Sequence, residues 1–193
     1  MNEARCKIVI GLPSSVQELA DYVADPRGRN LLDSQQITVQ RYRREVIEPL
    51  SRTIPVWLSY GAEVCRSATL ETLAAAVRDG PAASVFLISH WQESPTPTIE
   101  LFDGMIEIER VAAAFPHGFT GVVDLCICQS LALAKQIKSR CPAAAVKWVN
   151  VEANPSVWFH IHALTLRMMR DLRLDYLDAL NRSLRSFEHG KQG

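Results

Sequence analysis

Hydrophobic positions in this chain follow two periods, and the alternation between them lays out the elements. Lys7-Ile8-Val9-Ile10-Gly11, Ser84-Val85-Phe86-Leu87-Ile88-Ser89-His90 and Gly121-Val122-Val123-Asp124-Leu125-Cys126-Ile127-Cys128 are short, β-branched apolar runs bounded by Gly, Pro and Ser. Such runs predict strands buried on both faces, as in a parallel sheet. Residues 55–60 and 144–149 read as two further strands. Between the strands the spacing turns helical. Ser15 and Glu18 form a capping box that opens a helix through about Val23, and Asp25-Pro26-Arg27-Gly28 breaks it. Residues 37–50 predict a charged amphipathic helix ended near Pro49. Residues 70–77, capped by Ser67 or Thr69 and closed by Asp79-Gly80, predict the next. Residues 106–115, 131–139 and 155–169 follow, and Leu177, Leu180, Leu184 and Phe187 mark the stripe of a closing helix. A loop with Pro95 and Pro97 leads to Ile99-Glu100-Leu101-Phe102-Asp103-Gly104, to which the pattern assigns no element. Alternating strands and helices predict an α/β fold, three layers deep, around a mostly parallel central sheet.

Composition narrows the function classes. With 193 residues and no internal repeat or linker, the chain reads as one domain spanning 1–193. Net charge is zero, so the basic footprint of a nucleic-acid binder is missing. No apolar run approaches the roughly 20 residues that span a bilayer, and residues 1–5 do not begin a signal peptide. The expectation is a cytoplasmic protein without membrane or nucleic-acid partners. Cys6, Cys65, Cys126, Cys128 and Cys141 are an odd number, which argues for reduced thiols over a disulfide framework.

The chemistry gathers where strands end. In open α/β sheets ligands bind beyond the carboxyl ends of the strands. Two neighbouring strands ending in His90 and in Cys126 or Cys128 would present a base and a thiol to one crevice, the minimum for a thiol nucleophile. The two cysteines, two residues apart on a strand, share a face with Asp124. That carboxylate is either a hydrogen-bonded structural group or a wall of the substrate pocket. Other constellations fail. Gly-rich phosphate loops are absent, and Cys128 lacks the Arg about six residues on that a phosphate-cradling cysteine enzyme needs. His160 and His162 point apart on a helix, so no metal pair forms there, and no cofactor or metal is implied. Arg167, Arg170 and Arg173 read as a solvated face.

Residues 68–152 resemble the CHAT peptidases, cysteine proteases of caspase-like fold in the same clan as separase. Ala68-Thr69-Leu70-Glu71-Thr72-Leu73, followed by Val85-Phe86-Leu87-Ile88-Ser89-His90, is similar to the helix and strand that lead to the family's catalytic histidine. Leu101-Phe102-Asp103-Gly104-Met105-Ile106 resembles its segment between the two catalytic residues. Val123-Asp124-Leu125-Cys126-Ile127-Cys128-Gln129-Ser130 resembles its nucleophile strand. Trp148-Val149-Asn150-Val151-Glu152 and Tyr176-Leu177-Asp178-Ala179-Leu180 are similar to the later strand and closing helix. The family has Gly where Trp91 stands and a small residue where Ile127 stands.

The resemblance implies a caspase-like cysteine endopeptidase that cleaves a protein substrate through a His90–Cys128 dyad. The helix after Cys128 and an imidazolium at His90 would favour the thiolate. The Cys-Gln-Ser ending selects Cys128; the Asp-x-Cys pattern of metacaspases would select Cys126, with Asp124 lining a pocket for a basic side chain. Trp91 would crowd the cleft and keep it closed at rest, which fits a separately encoded regulatory or sensor partner in a bacterial stress or defence pathway. Trp148 and Trp158 read first as core packing and second as flanks of the cleft. The alternative, raised by Trp91 and Ile127, is a catalytically inactive caspase-like domain acting as a protein-binding module.

Overall fold

The structure is a computed structural model that describes residues 6–34, 36–78, 84–92, 96–149 and 155–189. The Asp79-Gly80 cap, Pro95 and the segment Asn150-Val151-Glu152 lie outside the described residues, as does the Phe187 side chain.

Each apolar run becomes a strand whose side chains alternate between two cores. β1 (Cys6–Ile10), β2 (Glu63–Cys65), β3 (Ser84–Ile88), β7 (Val122–Cys126) and β8 (Ala145–Lys147) form one all-parallel sheet in the order β2-β1-β3-β7-β8. The register runs Cys6↔Ser84 to Ile10↔Ile88 between β1 and β3, and Ser84↔Val122 to Ile88↔Cys126 between β3 and β7. One face carries Val9, Val85, Leu87, Val123 and Leu125 into a core shared with α5 (Leu70–Arg78), α6 (Ile108–Ala114) and α7 (Leu131–Arg140). The other carries Ile8, Ile10, Phe86, Ile88 and Cys126 toward α1 (Val16–Ala24), α2 (Pro26–Ser34), α3 (Val39–Tyr42), α4 (Glu48–Ser59), α8 (Pro155–Leu172) and α9 (Tyr176–His189). Burial on both faces is why these strands read as nearly continuous apolar runs. The result is the expected three-layer α/β/α sandwich.

One expected strand is a helix. Residues 55–59 continue α4, which holds Pro49 in its first turn and Pro55 inside it and ends on Tyr60 as its C-cap. Within the run, Trp57 is fully buried while Val56 and Leu58 are exposed, and Leu50, Ile54 and Trp57 recur at steps of four and three. That is a helical stripe; Pro55, on the exposed side, tolerates its missing N–H because water reaches that face. A π-helical turn, Arg43–Ile47, joins α3 to α4 and keeps Tyr42, Val46 and Ile47 on the buried side. The second strand is β2 instead, a three-residue edge.

Residues 98–107, partly unassigned and partly expected as helix, form a hairpin. β4 (Trp91–Gln92), β5 (Thr98–Leu101) and β6 (Gly104–Glu107) make a small antiparallel sheet. Asp103 in the tight turn also accepts the Leu70 N–H at 3.3 Å, so the turn caps α5. The chain leaving β1 passes so close beneath β5 that a Cβ on Gly11 would sit 2.6 Å from the Glu100 carbonyl oxygen.

Candidate functional site

β1, β3 and β7 stop at one edge of the sheet, and the order reverses direction between β1 and β3, the place where open α/β sheets form their crevice. Past β3 the chain runs through Ser89 and His90 into β4. The Ser89 hydroxyl donates to the Glu100 carbonyl, and the Glu100 N–H donates to the His90 carbonyl at 3.0 Å, so β5 pins the histidine's backbone. Past β7 the strand alternation ends at Cys126. Cys128 emerges in the turn that follows, where Gln129 adopts a left-handed φ of +52° before α7 begins. The Ser130 N–H donates to the Val149 carbonyl at 3.1 Å, and the Val149 N–H donates back to Ser130 Oγ at 3.2 Å. This exchange ties the cysteine's turn to the exit of β8.

His90 and Cys128 line one cavity of about 40 Å³, together with Leu12, Cys126, Val149 and Trp158. That volume suits ordered water and excludes a peptide side chain. The two cysteines that were expected to share a face therefore differ. Cys128 is half-buried; Cys126 is 8% exposed and belongs to the core against α8. Burial pushes the Cys126 thiol well up, Asp124 adds to the shift, and Lys147 only partly opposes it. Cys126 stays a protonated thiol, and Cys128 is the sulfur in reach.

Asp124 is 1% exposed and does not face this cavity. It accepts from Lys147 Nζ at 2.6 Å and from the Tyr176 hydroxyl at 2.6 Å. Both carboxylate oxygens thus have charged or hydroxyl donors inside the sheet–α9 interface, which is how a strand this apolar accommodates the charge. Removing one partner of such a pair strands the other and costs about 3–5 kcal/mol. The structural reading of Asp124 holds, and the basic-side-chain pocket inferred from it falls away. Lys147 also lies over the Trp158 ring, 4.1 Å from its centroid.

His90 is neutral at rest. Its ring packs on Tyr42 with centroids 5.8 Å apart, and its Nε2 is inaccessible to solvent and lacks a hydrogen-bond partner among the described residues. Burial lowers its pKa from 6.5 to about 4. The imidazolium expected to hold a thiolate is therefore not formed in this state. Trp91 packs against the core on the α5 side, paired with Ile99 across β4 and β5, and is not among the residues that line the cavity. Trp158 lines the cavity and also packs against the core on the α8 side, as expected, whereas Trp148 is 46% exposed and does not fit the core-packing expectation.

His160 and His162 part as expected on α8. His160 is exposed, while His162 is buried and stacks on Phe86 with centroids 3.7 Å apart. Among the described residues no group of three or more His, Cys, Asp or Glu is placed to hold a metal ion. No described helix is long and apolar enough to cross a membrane.

Sequence reasoning missed a larger cavity of about 530 Å³ on the far side of the β1 exit. Gly11 and Pro13 line it, whereas the intervening Leu12 lines the small one. Glu18, read only as a helix cap, and Glu100, in the unassigned segment, are among its walls. The Asp103-Gly104 turn signal between alternating apolar residues was the clue to the hairpin that carries Glu100. No family model matches the chain, and a search of curated proteins returns no match.

Proposed function

We propose that this chain is a caspase-like cysteine endopeptidase of the CHAT type, with Cys128 as nucleophile and His90 as its proton acceptor and donor. The observation that carries the reading is the convergence of His90 and a half-buried Cys128 on one cavity at the carboxyl ends of adjacent parallel strands. Neutral His90 takes the Cys128 proton as sulfur attacks the substrate carbonyl; the imidazolium then protonates the leaving amine, releasing one fragment and leaving a thioester. Water, deprotonated by the same imidazole, hydrolyses the thioester and restores the thiol. Backbone N–H groups beside the nucleophile would receive the oxyanion, at about 2.7–4 kcal/mol per donor.

A cavity of about 40 Å³ and a histidine held near pKa 4 support a site that is silent at rest. A separately encoded protein partner, in a reducing cytoplasm, would open it and admit the protein substrate. Closure then comes from Leu12, Val149 and Trp158, in place of Trp91.

Thiol labelling tests this with a built-in reference, because Cys65 is half-buried as well and has no catalytic role. In cell extract, where the partner is present to open the site, iodoacetamide modification, read by peptide mass, should be faster at Cys128 than at Cys65. It should slow to the Cys65 rate in His90→Ala and leave Cys126 untouched. Turnover of P1-Arg, P1-Lys, P1-Asp and P1-Leu peptides in cell extract should fall at least about 10³-fold in Cys128→Ala. Labelling of Cys128 no faster than Cys65, with no turnover in extract, would replace this reading by the inactive binding module. The unpartnered Nε2 of His90 is the observation that favours that second reading.

A further inference from the structure

The cavity of about 530 Å³ beside the β1 exit has the size of a small-molecule site and a lining of two kinds. One wall is apolar and aromatic: Tyr22 from α1, with Leu101, Phe102 and Met105 from the β5–β6 hairpin. The other is acidic. Glu18 and Asp21 project from α1, Asp25 from the turn that follows it, and Glu100 from β5. The carboxylates come from segments distant in sequence, so the fold assembles the concentration of negative charge.

The donors that hold two of these acids are neutral. Glu18 accepts from the Ser14 amide at 2.6 Å, from the Ser14 hydroxyl at 2.9 Å and from the Ser67 hydroxyl at 3.1 Å. Burial pushes the Glu18 carboxyl up, but these bonds, with Arg66 acting through space, outweigh it and hold the pKa below the ordinary value. Glu18 is charged at neutral pH. Asp21 accepts from the Gln17 side-chain amide at 3.0 Å.

Two phenols belong to the same neighbourhood. Tyr42 is 1% exposed, and its hydroxyl has no hydrogen-bond partner among the described residues. Burial pushes its phenol up, and Glu100 and Glu18, both walls of the cavity, add to the shift. Tyr22 is half-buried, and its hydroxyl meets the Glu100 carboxylate on the cavity wall. Phenols next to carboxylates suit a guest that donates hydrogen bonds and brings positive charge.

We propose that this cavity binds an organic cation with an apolar stem, an alkylammonium or alkylguanidinium whose head meets Glu100 and Glu18 and whose methylenes lie between Tyr22, Phe102 and Met105. A bare metal ion fits poorly, since half the wall is hydrocarbon and sulfur. The same chemistry occurs in free polyamines and in Lys or Arg side chains, and the site itself requires neither the dyad nor turnover. Its floor is continuous with the dyad's support, because the Glu100 N–H holds the His90 carbonyl. Occupancy would therefore be felt at His90.

Isothermal calorimetry on the full chain decides it. Cadaverine and agmatine represent the free source, and Nα-acetyl-lysine and Nα-acetyl-arginine amides the side-chain source; 1,5-pentanediol is the uncharged isostere and MgCl₂ the pure charge. Saturable binding of at least one cation below about 1 mM, with none for the diol or Mg²⁺ at about 10 mM, is expected. The tighter pair identifies the source. Glu100→Gln should weaken binding at least about tenfold by removing charge, and Met105→Trp should do the same by filling the stem channel with the charges intact. Should Glu100→Gln fail to fold, Met105→Trp still reads the site. Equal binding of the diol, binding of Mg²⁺ in place of the organic cations, or unchanged affinity in Met105→Trp would overturn the proposal.

Discussion

His90 carries the clearest consequence at the scale of single residues. Its folded pKa of about 4 lies below the ordinary 6.5 because burial disfavours the charged ring. The folded state therefore binds fewer protons than the unfolded chain between those values, and stability rises with pH across that window. The contribution is whole above about pH 6.5 and is lost as pH falls toward about 4. His162, also held well below its ordinary value by burial and then by Lys147, acts in the same direction. For His90 alone the loss is about 2–3 kcal/mol. Urea midpoints measured at pH 7, 5.5 and 4 should drop steadily in the wild type and less steeply in His90→Asn. Parallel profiles for the two proteins would show that His90 is not buried as described. The place of His90 and its protonation state have separate causes. Position came from the strand end, and protonation state from the Tyr42 ring and the β5 backbone packed around it.

Among the elements, α4 departs furthest from its local propensity. Pro55 removes the N–H that would reach the Ser51 carbonyl, yet the helix runs on to Ser59 because Leu50, Ile54 and Trp57 bury one continuous stripe. Pro55 itself is exposed and packs on nothing that the helix requires. Pro55→Ala should therefore stabilise the protein. The restored helical bond and relieved clash favour the variant by up to about 3 kcal/mol, and the greater freedom of the unfolded chain returns about 0.4–1 kcal/mol. A net gain of about 1–2 kcal/mol should raise the melting temperature by about 2–8 °C in a chain of this size, read by thermal unfolding. A loss of stability would mean that the proline kink is what fits Trp57 into the T-shaped contacts with Phe86 and Phe159.

At the scale of the whole molecule, a parallel sheet with a core on each face concentrates stability in its middle strands. β3 and β7 have hydrogen-bonded neighbours on both sides and bury both faces, whereas β2 is a three-residue edge whose first residue is exposed. Native-state amide exchange should find Val85–Ile88 and Val123–Leu125 opening only near the global unfolding free energy. Glu63–Cys65 should exchange at least about 10²-fold faster. His90 and Cys128 follow β3 and β7, two of the three strands that are paired on both sides. Equal protection of β2 and β3 would contradict this division of stability.

How much of this was legible beforehand differs by feature, for identifiable reasons. The apolar runs at 7–11, 84–90 and 121–128 determined by themselves that the protein is a parallel α/β sandwich and that His90 and Cys128 leave one end of its sheet, because burial on both faces demands hydrocarbon at most strand positions. The helix cap at Ser15 and Glu18 was equally local: the Glu18 N–H donates to Ser15 Oγ three residues back, and the Glu18 carboxylate accepts from the Ser14 N–H four residues back, in place of the Ser15 N–H that a capping box would use. Four things were decided only in three dimensions. Residues 55–59 became helix because their partners in the stripe are Leu50 and Ile54, and a short apolar run fits either period until its neighbours choose. Asp124 became structural because Lys147 and Tyr176, 23 and 52 residues away, close around it. Cys126 and Cys128 parted because the strand ends between them, where hydrogen bonding to β3 stops. The acidic cavity formed because β5 brings Glu100 against α1, a meeting of segments about 80 residues apart that no local pattern encodes.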